Sequence, residues 1–372
     1  MKIGYDAKRL LNNKTGLGNY SRTLLNNLAH YYPNNSYFLF SPAVKLKEYI
    51  NQFSKIGEVI TPTKSNRFLY RSFGIKKDIL SKNIDIYHGL SHELPRNISK
   101  IKCKKVVTIH DLIFKVHPKY FPYIDRTFYH LKCKHSINHA DKIIAISNNT
   151  KTDIIKYYNV DPKKIKVIYQ PCDSIYYKDN NKKEILKTIE RLDLPSQYLL
   201  YVGSIEPRKN IKSILRAYSK LSKEPQIPLV LVGRGKKYLT QITNLIKELK
   251  LQDKVILRDD ISTNDLPAIY SNAEILIYPS FYEGFGLPIV EAMLCRTPVI
   301  TANTSSLKEA GGPASIYVDP YDTTAIKQAI TSILEDKLLA SKMIEDSYEY
   351  ATAKFSIERS TRQTIEVYKS LI

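Results

Sequence analysis

Two doubly wound α/β units are the fold this sequence predicts, on three observations. Short β-branched runs alternate with longer stretches of helical spacing, and the alternation passes through the chain twice. A length of 372 residues is more than one ordinary core needs. Turn residues stand at the joints between strands and helices, and such alternation argues for parallel sheets covered on both faces.

The strands expected in the first half are Lys2–Asp6, Tyr37–Phe40, Ile84–Tyr87, Lys105–Ile109, Lys142–Ile146 and Lys166–Tyr169. Those of the second half are Tyr198–Val202, Leu229–Val232, Val255–Leu257, Ile275–Tyr278 and Val299–Thr301. Helical periodicity lies between them, as at Ile211, Ile214, Leu215 and Tyr218, or Leu239, Ile242, Leu245 and Ile246. The joint is expected within Pro171–Gln197, where the polar stretch from Asp173 to Lys183 includes Asp179-Asn180-Asn181. In doubly wound sheets ligands sit beyond the carboxyl ends of the strands. Asp6 to Asn19, His88-Gly89, His110-Asp111, Ser147-Asn148, Gly203 to Asn210, Gly233-Arg234-Gly235 and Pro279 to Leu287 are the segments so displayed.

Composition narrows the class further. At 43% hydrophobic and 25% charged the chain is globular, and no run approaches the ~18 apolar residues of a membrane span. The N-terminal strand meets charge too soon to be a signal peptide. Cys103, Cys133, Cys172 and Cys295 form no C-x-x-C pair, so reduced thiols and a cytoplasmic location are expected. The net charge of +21 is uneven: residues 1–180 carry 31 Lys and Arg against 13 Asp and Glu, the remainder 26 against 23. The first half therefore meets an anionic partner or presents a solvated basic face.

One stretch carries the chemistry. After the strand Ile275–Tyr278, Pro279-Ser280 ends the run and Gly284 and Gly286 allow a tight backbone. Pro288 then suits the first position of a helix through Ala292-Met293-Leu294. Its opening amides, Phe285, Gly286 and Leu287, face an anion such as a diphosphate. Glu283 precedes the turn and Glu291 lies one turn inside, so two carboxylates flank the anion site and can accept from sugar hydroxyls. The segment Gly203-Ser204-Ile205-Glu206-Pro207-Arg208-Lys209-Asn210 sets two adjacent cations at another strand end, where a departing diphosphate would need its charge balanced.

With Gly16-Leu17-Gly18-Asn19-Tyr20, His110-Asp111 and Val318-Asp319-Pro320, these segments resemble the retaining GT-B glycosyltransferases of family 4. Their second-domain hallmark is a Glu, seven residues, then Glu, as at Glu283 and Glu291. The resemblance implies two Rossmann-like domains facing each other across a cleft. It implies an acceptor domain at 1–175, joined by a C-terminal helix at 355–372, and a donor domain at 176–354. It implies that Glu291 binds the nucleotide ribose and Glu283 the donor sugar. The amides of Phe285 to Leu287, with Arg208 and Lys209, would hold the diphosphate. Gly16 and Gly18, Gly203, Ser204 and Gly233 would approach the donor, and His110 would lie near the reaction centre. Many members carry Arg where this chain has Ser204.

No D-x-D occurs, so no metal-bridged diphosphate of that kind is expected and no cofactor is required. The variant Glu206-Pro207-Arg208-Lys209-Asn210 is similar to that of bacterial O-antigen and capsule mannosyltransferases, which makes GDP-mannose the first donor to consider and UDP- or dTDP-sugars the alternatives. Basic-aromatic stretches at Arg67 to Lys77 and Lys115 to Lys134 suit a polyprenyl-diphosphate-linked or other glycan acceptor and an anionic inner membrane face, unless their aromatics are buried in a core. Three other classes fit less. A glycoside hydrolase has no use for an Arg-Lys cation site. A dehydrogenase fingerprint lacks its third glycine, Ser21 standing there. A nucleic-acid-binding protein would explain the charge, yet no reader motif appears and no nucleic-acid partner is expected.

Overall fold

A computed structural model describes residues 1–62, 67–178, 181–221 and 227–372, the side chain of Phe68 excepted. They divide into two compact units, Met1–Pro171 with Ile357–Ile372, and Cys172–Ser356. Of the residues expected at the joint, Asp179 and Asn180 lie outside the described set.

The first unit is built on a seven-stranded sheet: β1 (Lys2–Asp6), β2 (Ser36–Phe40), β3 (Glu58–Ile60), β4 (Ile86–Gly89), β5 (Lys104–Ile109), β6 (Lys142–Ala145) and β7 (Ile165–Val167). Its order is β3-β2-β1-β4-β5-β6-β7, every pair parallel. The second unit repeats the winding with β8 (Leu199–Val202), β9 (Leu229–Val232), β10 (Val255–Arg258), β11 (Ile275–Tyr278), β12 (Val299–Ala302) and β13 (Ile316–Val318). These run β10-β9-β8-β11-β12-β13, again all parallel. Two doubly wound parallel sheets are therefore present.

The central strands are buried on both faces, as β8, β9 and β11 show with no exposed residue. That is why they read as unbroken apolar runs rather than alternations. Two strands were not expected, β3 and β13, and both are three-residue edge strands. Half-buried at best, Glu58-Val59-Ile60 and Ile316-Tyr317 carry neither pattern. The strand expected at Ile84 begins instead at Ile86, because Asn83 turns the chain at φ 51° and Asp85 spends its carboxylate on the Lys2 amide (2.7 Å).

The helix Ile357–Lys369 completes the first unit. Ile365, Val367 and Tyr368 join its core beside Leu24, Leu25 and Leu28 of the helix Gly16–Tyr31. The Tyr368 hydroxyl reaches Nδ1 of the buried His88 at 2.7 Å, and Nε2 of that ring meets Thr108 Oγ1 at 2.8 Å. Each sheet reverses its strand order once, between β1 and β4 and between β8 and β11. Those switch points are where open α/β sheets form their ligand crevices.

Candidate active site

At the second switch point, β8 runs into the short turn Pro207–Lys209 and β11 runs into Pro279 to Glu283. A backbone bond from Phe281 N to Arg208 O (2.9 Å) fastens the two segments. Asn210, left-handed at φ 60°, donates through Nδ2 to Pro279 O (3.0 Å) and Pro320 O (2.6 Å). Side chains 75 residues apart in sequence are thereby brought together. Arg208 Nη1 donates to Glu283 Oε2 at 2.7 Å, and Lys209 Nζ donates to Oε1 at 2.7 Å and to Tyr278 Oη at 2.5 Å.

The electrostatics follow from burial. Glu283 and Lys209 are each 7% exposed. Burial pushes the Glu283 carboxyl up, but Arg208 and Lys209 outweigh it and hold the group at about 2. Burial and Arg208 lower the Lys209 ammonium while Glu283 opposes them. Glu283 is thus a permanent carboxylate with both oxygens engaged by cations. Its amide donates to Ser305 Oγ (3.1 Å) and its carbonyl accepts from Ser306 Oγ (2.8 Å), which fixes the turn that follows.

That turn ends at Gly286, whose φ of 113° only glycine adopts without strain. The helix Leu287–Leu294 starts there, so Pro288 occupies its second position rather than the first. The ring of Phe285 is buried edge-on against Phe355 (5.3 Å). Pro288 has no N–H and Ile289 N donates to Gly286 O (3.0 Å), so helix geometry leaves the N–H groups of Gly286 and Leu287 without intrahelical acceptors. Glu291 lies one turn in, partly buried, and accepts from Tyr270 Oη at 2.8 Å. Burial raises its carboxyl to about 7, the Tyr270 bond opposing that rise.

Gly203 and Ser204 end β8, and Gly233 ends β9. A side chain at Gly233 would come within 1.8 Å of the Gly203 carbonyl oxygen, so the two backbones approach this closely only because Gly233 bears none. Tyr278, Tyr270 and Asn210 were not read as site residues. Asn210 closes the Pro-Arg-Lys-Asn run and was legible by position; the two tyrosines carry no local signal.

In the first unit, Gly16 and Gly18 are not a loop but the opening turn of the helix Gly16–Tyr31. A side chain at Gly18 would strike the Asn13 carbonyl oxygen at 1.9 Å, whereas Gly16 faces open space. His110 follows β5 and is 5% exposed. Its Nε2 lies 2.9 Å from Leu90 O, which can only accept, so that nitrogen bears the proton. Its Nδ1 accepts from Gln170 Nε2 at 2.9 Å. Burial, then His92, lowers the ring to about 3, so it is neutral. Tyr20 stands edge-on to it at 4.7 Å, and His92 lies tilted against it at 5.4 Å. With both nitrogens engaged, His110 is a fixed dipole rather than a proton carrier.

Two histidine pairs have i, i+4 spacing, His88 with His92 and His135 with His139. The second pair shares a helix with rings 4.3 Å apart, but His135 Nε2 meets Pro95 O and His139 Nδ1 meets His135 O. Among the described residues no group of three or more His, Cys, Asp or Glu is placed to hold a metal ion.

Of the basic-aromatic stretches, Tyr70 and Phe114 are buried, while Tyr123 (72%), Ile124 (68%) and Phe128 (55%) on the helix Tyr123–His139 are exposed. Among the described residues no helix is long and apolar enough to cross a membrane. The cysteines are buried free thiols.

Two parallel sheets of this winding, each with polar machinery at its switch point, define the GT-B class of glycosyltransferase. HepE from Anabaena, solved in complex with UDP and glucose, superposes on the whole chain and over its own whole length with a TM-score of 0.80 at 18% identity. Residues 182–350 match the model of glycosyl transferases group 1, and residues 15–174 that of glycosyltransferase family 4. O-antigen chain mannosyltransferase B of Escherichia coli is 36% identical over 77% of this chain and 74% of its own. The O-antigen chain mannosyltransferase RfbU of Salmonella typhimurium is 32% identical over 62% of this chain and 60% of its own. The chain belongs to the group 1, family 4 glycosyltransferases and is a hexosyltransferase.

Proposed function

We propose that the chain transfers mannose from GDP-mannose to a lipid-linked glycan, with retention of configuration and without a metal, in cell-surface polysaccharide assembly. The observation that carries this reading is the buried Arg208–Glu283–Lys209 cluster beside the helix start at Leu287. The names of the O-antigen mannosyltransferase relatives support the sugar.

On this reading Glu291 accepts from the nucleotide ribose, and the opening amides of the helix, with Arg208 and Lys209, stabilise the diphosphate as it leaves. Glu283 stays ionised and engaged by its two cations, so it orients the sugar rather than attacking it. The bond from the anomeric carbon to the diphosphate oxygen breaks while the acceptor hydroxyl forms its bond on the same face. The hydroxyl proton passes to the departing phosphate oxygen. His110, neutral and held at both ring nitrogens by Leu90 and Gln170, lines the reaction centre on this reading and exchanges no proton there.

The exposed aromatics of the helix Tyr123–His139 and the basic charge around them favour a peripheral site on the inner face of the cytoplasmic membrane. Anionic liposomes are expected to float the protein at low salt; failure to do so removes the membrane part of the reading.

NMR of the new anomeric centre decides the stereochemistry: an α-linked donor should give an α product, and a β product would sink the mechanism. A thermal-shift screen of GDP-mannose against UDP- and dTDP-sugars decides the donor, the true one stabilising most by mass action. HepE, solved with UDP and glucose, keeps a uridine donor as the second reading.

A further inference from the structure

A cavity of 410 Å³ lies within the first unit, with Asp6 at the end of β1 and Glu93 just beyond β4 in its wall. Five cations line it, Lys8, Arg67, Arg71, Arg96 and Lys132, against those two carboxylates. The carboxylates serve to fix two of the cations. Arg71 Nε donates to Asp6 Oδ2 at 2.7 Å, its Nη1 pairs with Glu93, and Lys132 Nζ meets Glu93 Oε1 at 2.6 Å. Among the described residues Lys8, Arg67 and Arg96 have no carboxylate partner, so the cavity holds a surplus of three positive charges. Burial and the neighbouring Arg71 depress the Lys8 ammonium, and Asp6 opposes them only in part.

A second hollow of 860 Å³ adjoins it, with Leu69 in both walls. This one is lined by Ile60, Pro62, Leu69, Phe73 and Leu80, with Lys76 and Lys77 at its side. The segment between them explains the division. Residues Tyr70–Gly74 form a π-helical turn, a geometry that recurs at functional sites. It directs Arg71 and Ser72 to the cationic cavity and Tyr70, Phe73 and Gly74 to the apolar one. Leu69, Phe73 and Leu80 are each about half exposed.

A cation-rich pocket opening onto an apolar trough fits an amphiphile whose head carries more negative charge than one phosphodiester, which would leave most of the surplus unmet. We propose that the cavity holds the diphosphate of an isoprenoid diphosphate and the adjoining trough its first isoprene units. This deepens, and rests on, the lipid-linked-acceptor reading above.

Isothermal titration calorimetry of the full chain with farnesyl diphosphate, farnesol and inorganic diphosphate tests this. Farnesyl diphosphate should bind at least ten times more tightly than either fragment. Arg67→Ser with Arg96→Ser should weaken farnesyl diphosphate and inorganic diphosphate tenfold or more. Leu69→Ser with Phe73→Ser should bring farnesyl diphosphate down to the affinity of inorganic diphosphate and leave the latter unchanged. A circular-dichroism melt of each variant matching that of the unaltered protein shows that the fold is intact. Farnesol binding as well as its diphosphate, or indifference to the paired arginine change, overturns the proposal. So does binding confined to phosphatidylglycerol vesicles. Loss of GDP-mannose stabilisation in the unaltered protein would remove the donor reading alone, the farnesyl diphosphate result still standing or falling by itself.

Discussion

The two units share one winding and differ in how they are charged. Residues 1–171 with 357–372 carry 33 Lys and Arg against 13 Asp and Glu, a surplus of 20; residues 172–356 carry 24 against 23, a surplus of one. Both are basic where it matters, but by different means. The second unit sets two of its cations, Arg208 and Lys209, in a cluster where Glu283 neutralises part of their charge and fixes both. The first spreads its surplus over a cavity and a surface, where screening by salt is strong. One arrangement suits a small ligand held in a single geometry, the other a large anionic partner approached from solution.

Breaking the buried cluster should have the largest effect. Glu283→Ala leaves Arg208 and Lys209 crowded without their counter-charge, and should cost about 3–5 kcal/mol in urea unfolding of the second unit. Lys209→Met, read by single-turnover kinetics, should lower kcat by roughly 10²- to 10³-fold, the loss typical of one transition-state donor, while farnesyl diphosphate binding in the first unit is unchanged. Equal damage to both would abolish the contrast between the units.

Glu291 gives a smaller effect with a defined sign. Its carboxyl at about 7 in the folded chain lies above the ordinary range near ~4.3, so the folded state keeps a proton that the unfolded state has released. That contribution is full below the unfolded value and is lost as pH rises toward 7, by up to about 3 kcal/mol. Glu291→Gln should flatten the fall in thermal stability across this window. GDP affinity should rise through the same window as the carboxylate forms, and the variant should lose that rise. The mildest change is Tyr270→Phe, which removes the bond to Glu291 for about 1 kcal/mol and moves the GDP pH profile upward.

The fold was legible because its central strands are enclosed on both sides and therefore spelled as apolar runs, such as Leu229–Val232 and Ile275–Tyr278. The edge strands β3 and β13 were not, because an edge half open to water selects no pattern over three residues. The second unit's site was legible where it is continuous in sequence, from Glu283 to Glu291. Its pairing with Arg208 and Lys209 was not, since only the order β8-β11 makes those segments neighbours. The Pro288 register was off by one for a simpler reason: the positive φ of Gly286 lets the helix begin at Leu287. In the first unit the stretches Arg67 to Lys77 and Lys115 to Lys134 suggest an anionic lipid or lipid-linked acceptor by composition, but nothing local marks Arg67, Arg71, Arg96 and Lys132 as lining one cavity.

The helix Ile357–Lys369 has a consequence for the order in which the molecule is made. The first unit lacks Ile365, Val367, Tyr368 and the partner of His88 until residues 357–372 have been synthesised, after every residue of the second. The second unit is contiguous and can close its core while the first still waits. Translation therefore completes the two cores in the reverse of their N-to-C order, and the basic unit is the last to mature.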